Sequence, residues 1–365
     1  MKTKHCLGLL LLGSCILYNP EIQALDVQHD FEVAYRDYQA LLNADSSPRH
    51  DLSIAALHAF ETGKAYFGED SLNTANLAIN FLKTATHPAK HHENSRAIGE
   101  LVLDVYESQV DKTDARWLDA YIAAMSVPFS MAKKRRLRDD YLDFIEPLQE
   151  VNPELYALTL VDGVKSWNND KFDLAEIIEP RLANLKQKLP ESNPGVLQLE
   201  LYLGNFYMNT RSYDNAIESY HRVINSDLDD TAASQRAVLL SHAALVQLYE
   251  QDGKSELATE HCLAIGSMQP WRPNQKPEPL FRVSAAYPVA YALERMSGSV
   301  ALRFDIDTSG FVTNLRTVDA EDVPRLFVKS AKEAVQRWRY APKFEDGKPV
   351  VAKDQMVQID YSIDG

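Results

Sequence analysis

Few side chains in this 365-residue chain stand at spacings that chemistry requires. His87, His91 and His92 could offer nitrogen ligands to a metal, but Pro88 breaks any helix that would align them and no further ligand completes a set. No metal site is expected. Lys133, Lys134, Arg135 and Arg136, with Arg138, form a cationic run of the kind that grips phosphates. Asp139 and Asp140 follow directly, so the run reads as a charged helix start facing solvent. Cys262 lies in an apolar helical pattern with no histidine and aspartate arranged around it, and reads as a small core residue rather than a nucleophile. There is no Gly-x-Ser-x-Gly, no His-Glu-x-x-His and no glycine-rich phosphate loop. No catalytic residue and no cofactor are expected, and the chain reads as a non-enzyme that binds partners.

The elements that position a binding surface divide by charge. Apolar residues make up 45% and charged residues 25%, the proportions of a soluble globular protein. Residues 25–278 hold 24 Lys and Arg against 39 Asp and Glu, whereas residues 281–365 hold 12 of each. So acidic a body repels phosphate backbones and anionic lipid, which argues against nucleic acid as a partner. Residues 1–24 read as an export signal. Lys2 and Lys4 are the basic start, Cys6 to Tyr18 the apolar run, Asn19-Pro20 a helix breaker and Ile22-Gln23-Ala24 a cleavage site. The run is shorter than the roughly 20 residues that span a bilayer. Leu12-Gly13-Ser14-Cys15 also resembles a lipobox, which would leave the chain lipid-anchored at Cys15. In either case Cys262 would be the one thiol of an exported chain, and no intramolecular disulfide is expected.

From residue 25 to 270 the periodicity is helical, and a small-residue register recurs. Gly63, Gly163 and Gly204 precede Ala75, Ala175 and Ala216 by twelve residues. Tyr66, Tyr106, Tyr207 and Tyr249 precede Ala75, Ala115, Ala216 and Ala258 by nine. Antiparallel helices approach closely only where small residues face each other, and the tyrosine would fill the gap at the end of the first helix. With Leu203, Gly204, Tyr207, Tyr213, Ala216 and Tyr220 in one copy and Leu245, Tyr249, Gly253 and Ala258 in the next, the pattern resembles the tetratricopeptide repeat. That resemblance implies a solenoid of helix pairs with a partner-binding concave face.

After Pro270 the texture changes. Residues 271–281, with Pro273, Pro277 and Pro279, read as a stiff linker. Residues 282–365 then read as helix, hairpin, helix and strand. The first helix would begin at Tyr287-Pro288, carry Val289, Leu293 and Met296 as an apolar stripe, and end at Gly298. Val300, Leu302, Phe304 and Ile306 alternate with polar residues as a half-buried strand, followed by a turn at Asp307-Thr308-Ser309-Gly310 and a second strand to Val318. Phe327, Ala331, Ala334, Val335 and Trp338 share one helical face, and Val357, Ile359, Tyr361 and Ile363 alternate in a last strand.

Here a second resemblance is specific. Tyr287-Pro288, Gly298-Ser299-Val300, Phe304-x-Ile306-Asp307-x-x-Gly310-x-Val312-x-Asn314, and Ala334-x-x-x-Trp338-Arg339-Tyr340-x-Pro342, with Gly347-Lys348-Pro349, resemble the C-terminal domain of the TonB family across residues 282–365. The fold class expected is thus mainly α, a tetratricopeptide-like solenoid followed by a small α+β domain. The resemblance implies a periplasmic envelope protein of a Gram-negative bacterium, whose partners are envelope proteins such as TonB-dependent outer-membrane receptors. In the family a short receptor segment adds as a strand beside the last strand. Here that edge would be Gln355, Met356, Val357, Gln358, Ile359, Asp360, Tyr361, Ser362 and Ile363. Peptidoglycan binding and homodimerisation by strand pairing are the alternatives. Tyr287, Trp338 and Tyr340 read as core aromatics before ligand contacts. A full TonB also has an N-terminal membrane helix and a long proline-rich spacer. Helical repeats stand in the spacer's place here, so energy coupling by this chain alone is not expected.

Overall fold

A computed structural model of the chain describes residues 20–44, 46–85, 94–167, 173–226, 232–268, 271, 275, 277–318 and 323–362. It is a mainly helical body followed by a small strand-containing domain. The chain forms two compact units, residues 1–147 with 165–169 and residues 148–164 with 170–365. The expected His87, His91, His92, Cys15 and Ile363 lie outside the described residues, as does the insertion at 227–230.

In the first unit α1 (Pro20–Leu42), α2 (Arg49–Phe67), α3 (Leu72–Thr84), α4 (Ser95–Gln109), α5 (Arg116–Met125) and α6 (Met131–Ile145) pack each on the next, with α3 also against α5. Pro20, read with Asn19 as a helix breaker, lies in α1, and Asn19 lies outside the described residues. Ser71 caps α3 by accepting from the Asn73 N–H at 3.2 Å, and Ser130 caps α6 through Lys133 at 3.3 Å. Ala75 is fully buried, and a Cβ on Gly63 would lie 2.2 Å from Leu77, so α2 and α3 approach closely at Gly63. Two expected tyrosine–alanine pairs fail. Tyr66 is 40% exposed and its ring meets Phe31 and Phe67, and Ala115 sits at the N-cap of α5, where its side chain faces solvent. Tyr106 is buried all the same, donating to Asn76 at 2.7 Å.

The second unit starts with the single turn α7 (Leu148–Val151) and α8 (Pro153–Trp167), whose residues from Lys165 count with the first unit. α9 (Leu174–Lys188), α10 (Pro194–Asn209), α11 (Tyr213–Ile224), α12 (Ala232–Gln251) and α13 (Ser255–Met268) follow; from α9 onward each packs on the next, with α10 also against α12. Asn193 caps α10 with Pro194 in its first turn, and Asp173 caps α9. Gly204, Ala216 and Tyr220 form the seam of α10 and α11. Ala216 and Tyr220 are fully buried, and a Cβ on Gly204 would lie 2.7 Å from the Tyr220 ring. The Tyr220 hydroxyl donates to Asn205 at 2.8 Å and the Tyr207 hydroxyl to Glu179. Tyr249 and Ala258 are likewise buried between α12 and α13, while Tyr213 is 43% exposed.

The terminal domain begins within the stretch read as linker. Pro279–Phe281 is strand β1, paired antiparallel with β4 (Arg339–Tyr340), and it lies against α12. β2 (Gly298–Ile306) is the centre of a three-stranded antiparallel sheet between β3 (Val312–Val318) and β7 (Ala352–Tyr361). β5 (Lys343–Glu345) and β6 (Lys348–Val350) form a separate hairpin turned at Gly347. One sheet face packs on α15 (Arg325–Val335). Val300, Leu302, Phe304 and Ile306 from β2 meet Phe327, Ala331 and Val335, all at 1% exposure or less. The first helix is shorter than expected. α14 spans only Val289–Leu293, Arg295 takes φ +52° after it, and Val289 is 78% exposed. Gly298 does not end that helix. It starts β2, where a Cβ would stand 3.1 Å from Phe327.

Candidate partner-binding edge of the terminal sheet

β7 pairs with β2 in continuous register from Gly298↔Tyr361 to Phe304↔Gln355, and a bulge precedes Ile306↔Ala352. On its other side no strand pairs with it among the described residues. The residues read as an edge separate by face. Ile359 and Tyr361 are buried and Val357 half-buried toward the core, whereas Met356, Gln358, Asp360 and Ser362 are exposed. Met356 is 62% exposed, a large apolar side chain beside an unpaired backbone edge. The Asp360 carboxylate accepts from Gln358 at 2.8 Å and from Ser299 on β2 at 2.7 Å, and these bonds hold its carboxyl below the usual range.

Both ends of β7 are anchored. At the C-terminal end Tyr361 stacks on Phe327 with ring centroids 4.4 Å apart and donates to the Phe327 carbonyl at 3.1 Å. Tyr287 meets both rings edge-on and donates to the Met296 carbonyl, while Pro288 precedes the first residue of α14. At the other end Asp354, at φ +62°, accepts from Arg303 at 2.5 Å and Arg316 at 2.8 Å. The Asp354 N–H donates to Asp305 at 2.8 Å and, with Asn314, holds that carboxyl low. A strand fixed at both ends offers its free edge without first paying the entropy of ordering itself.

The remaining motif residues are structural. Trp338 is 2% exposed and donates to the Val283 carbonyl at 2.8 Å, with Arg282 over its ring. Tyr340 is equally buried, and burial raises its hydroxyl well above the usual tyrosine range. Gly310, at φ +87°, brings the hairpin turn against β4: a Cβ there would lie 2.1 Å from the Tyr340 carbonyl oxygen. Asp307 closes the same turn, accepting from Ser309 and Phe311 at 2.9 Å each.

Arg339 is the residue whose role the sequence leaves unstated. At 1% exposure it pairs with Glu250 of α12, donates to Thr259 of α13 at 2.8 Å and to the Ser309 carbonyl at 3.0 Å, and lies 3.6 Å over the Phe311 ring. Cys262, fully buried beside it, is pushed up to about 12 by burial, so the thiol is an inert core group. Gly266 of α13 completes this seat, since a Cβ there would meet the Pro342 carbonyl at 2.6 Å and Phe344 at 2.8 Å. Glu250, Thr259 and Gly266 carry no local motif, and only Gly266, a small residue in a helix, hints at a close approach. Among the described residues no group of three or more His, Cys, Asp or Glu is placed to hold a metal, and no helix is long and apolar enough to cross a membrane.

A helix-backed three-stranded antiparallel sheet, with β3 and β7 as its outer strands, defines a small α+β domain. Residues 283–363 match the family described as Gram-negative bacterial TonB protein C-terminal. The same region is similar to Protein TonB of Escherichia coli (strain K12), 33% identical over 89 residues, which is 24% of this chain and 34% of the relative. It is also similar to Protein TonB of Klebsiella pneumoniae, 32% identical over 73 residues (20% and 28%), and of Yersinia enterocolitica, 30% over 90 residues (24% and 32%). The chain thus spans about a third of the length of these relatives. No solved structure matches it.

Proposed function

We propose that this chain is a non-enzymatic, TonB-system-related protein of the Gram-negative envelope that works in the periplasm as a partner-binding adaptor. Its terminal domain takes an extended segment of an outer-membrane receptor as an added strand along β7. Its helical body, read as tetratricopeptide-like helix pairs, docks a second envelope protein. The similarity of residues 283–363 to TonB supports the first role, and the observation that carries it is the anchored β7, with no strand on its outer side among the described residues. Strand addition draws affinity from main-chain hydrogen bonds and choice from alternate side chains, and Met356 and Gln358 are the exposed side chains such a segment would meet.

The test uses the full chain and a synthetic peptide carrying a receptor's TonB box. Successive N–H groups of an antiparallel strand point to opposite sides. Gln358→Pro and Ile359→Pro therefore remove one donor turned toward β2 and one turned outward. The outward one is expected to abolish peptide binding with the far-ultraviolet circular dichroism unchanged. If both variants bind like the parent chain, strand addition at β7 is wrong. If instead the peptide never binds while the chain sediments as a dimer that the outward proline dissociates, the edge serves self-pairing.

A further inference from the structure

We propose that the groove between α4, α5 and α6 of the helical body docks a basic segment of a partner protein, held by an arginine or lysine side chain. The inference rests on reading the body as a docking module, and it is independent of β7. The groove has a volume of about 780 Å³. Its aromatic lining is continuous: the Tyr121 ring lies 5.2 Å from Trp117 and 6.4 Å from Phe144, centroid to centroid. Such rings attract a cation over their faces.

Carboxylates from two helices surround that lining. Glu107 of α4 and Asp140 and Asp143 of α6 all act on the Tyr121 hydroxyl, which burial first and then these three charges push up to about 12. The groove's own cations leave much of this charge open. Lys133 is taken by Glu100 and lies over the Phe129 ring. Lys112 stands 3.6 Å from Glu107, and Arg136, its side chain 84% exposed, stands 4.0 Å from Asp140. Asp104 and Asp143 have no ion pair among the described residues.

A second observation is independent of charge. Trp117, 5% exposed, lines the groove, and its indole N–H is buried with no hydrogen-bond acceptor among the described residues. Buried donors are normally satisfied, and a peptide brings main-chain carbonyls along with its cationic side chain. An acidic segment would meet repulsion here, and five carboxylates against three cations in the lining decide the sign of the occupant.

The experiment is fluorescence anisotropy with the full chain, at about 50 mM salt so that exposed charges are weakly screened. The probe is a labelled ten-residue alanine–serine peptide carrying two arginines, compared with the same peptide carrying two citrullines. The arginine peptide is expected to bind saturably and the citrulline peptide at least tenfold more weakly. Asp140→Asn with Asp143→Asn, and separately Tyr121→Leu, are each expected to weaken binding about tenfold. Glu32→Gln with Asp37→Asn, exposed carboxylates on α1, should leave it unchanged. Equal binding of both peptides, or no effect of the α6 pair, overturns the proposal. Equal weakening by the α1 pair also overturns it, since diffuse charge would then explain the binding. Glu107→Gln, at an exposed position, replaces the α6 pair if thermal unfolding shows that pair misfolds.

Discussion

Arg339 stands in a run of three residues that looks like an ordinary strand entry, yet it carries the charge on which the terminal domain's seat depends. Its guanidinium is 1% exposed and its Glu250 partner 9% exposed, so each charge has exchanged water for the other. A buried pair adds little net stability over an apolar pair, but removing one member strands the other. Glu250→Gln is therefore expected to cost about 3–5 kcal/mol. Urea unfolding would read this as a lower midpoint with the slope unchanged. A change below about 1 kcal/mol would show that Thr259, the Ser309 carbonyl and the Phe311 ring suffice to hold the arginine. The motif Trp338-Arg339-Tyr340 was legible from sequence. Its partner, 89 residues earlier, was not, because no local period links residues so far apart.

Among the elements, α11, α12 and α13 are joined by a histidine cluster. His242 and His261 share a hydrogen bond between their Nδ1 atoms at 2.9 Å. His221 meets the Tyr249 hydroxyl at 2.9 Å, and Tyr249 stacks on His261. Burial, then His242 and His221, push His261 down to about 4, and burial lowers His242 and His221 too. An imidazole whose folded value lies below its unfolded value near 6.5 stays neutral in the fold and takes up a proton on unfolding. The unfolded chain then binds more protons across that interval, so stability is full above about pH 6.5 and is lost as pH falls toward 4. Thermal unfolding between those limits should lose on the order of 2 kcal/mol through this cluster. His261→Gln should flatten that part of the profile, and an unchanged slope would remove the cluster from the account. The helical period placed these helices, but the meeting of three rings followed from how the hairpins stack.

At the scale of the whole molecule, the terminal domain and the helices from α9 onward form one compact unit rather than a tethered module behind a linker. β1 lies on α12, and the β5–β6 hairpin lies on α13 at Gly266. A fragment of residues 277–365 is expected to be less stable than the same domain in the full chain by about 2 kcal/mol or more, since Phe344 loses its apolar cover. Amide hydrogen exchange at Arg339 and Tyr340 reads this directly, and equal protection in fragment and full chain would show that the seat adds nothing.

Local pattern alone determined the main helices and the three long strands. The 3.6-residue repeat marked the helices, the alternation from Val300 to Ile306 marked the central strand, and the motifs around Gly310 and Trp338 marked the terminal domain. Each of these is a local pattern, set by which face of an element must leave water. Tertiary structure alone decided that Pro279–Phe281 pairs as a strand, that Gly298 opens β2, that Ala115 falls outside the helix seam, and that Arg339 finds Glu250. It also decided the acidic, aromatic groove. These depend on which surfaces remain once distant segments have packed, and a surface left over is written in no single stretch of sequence.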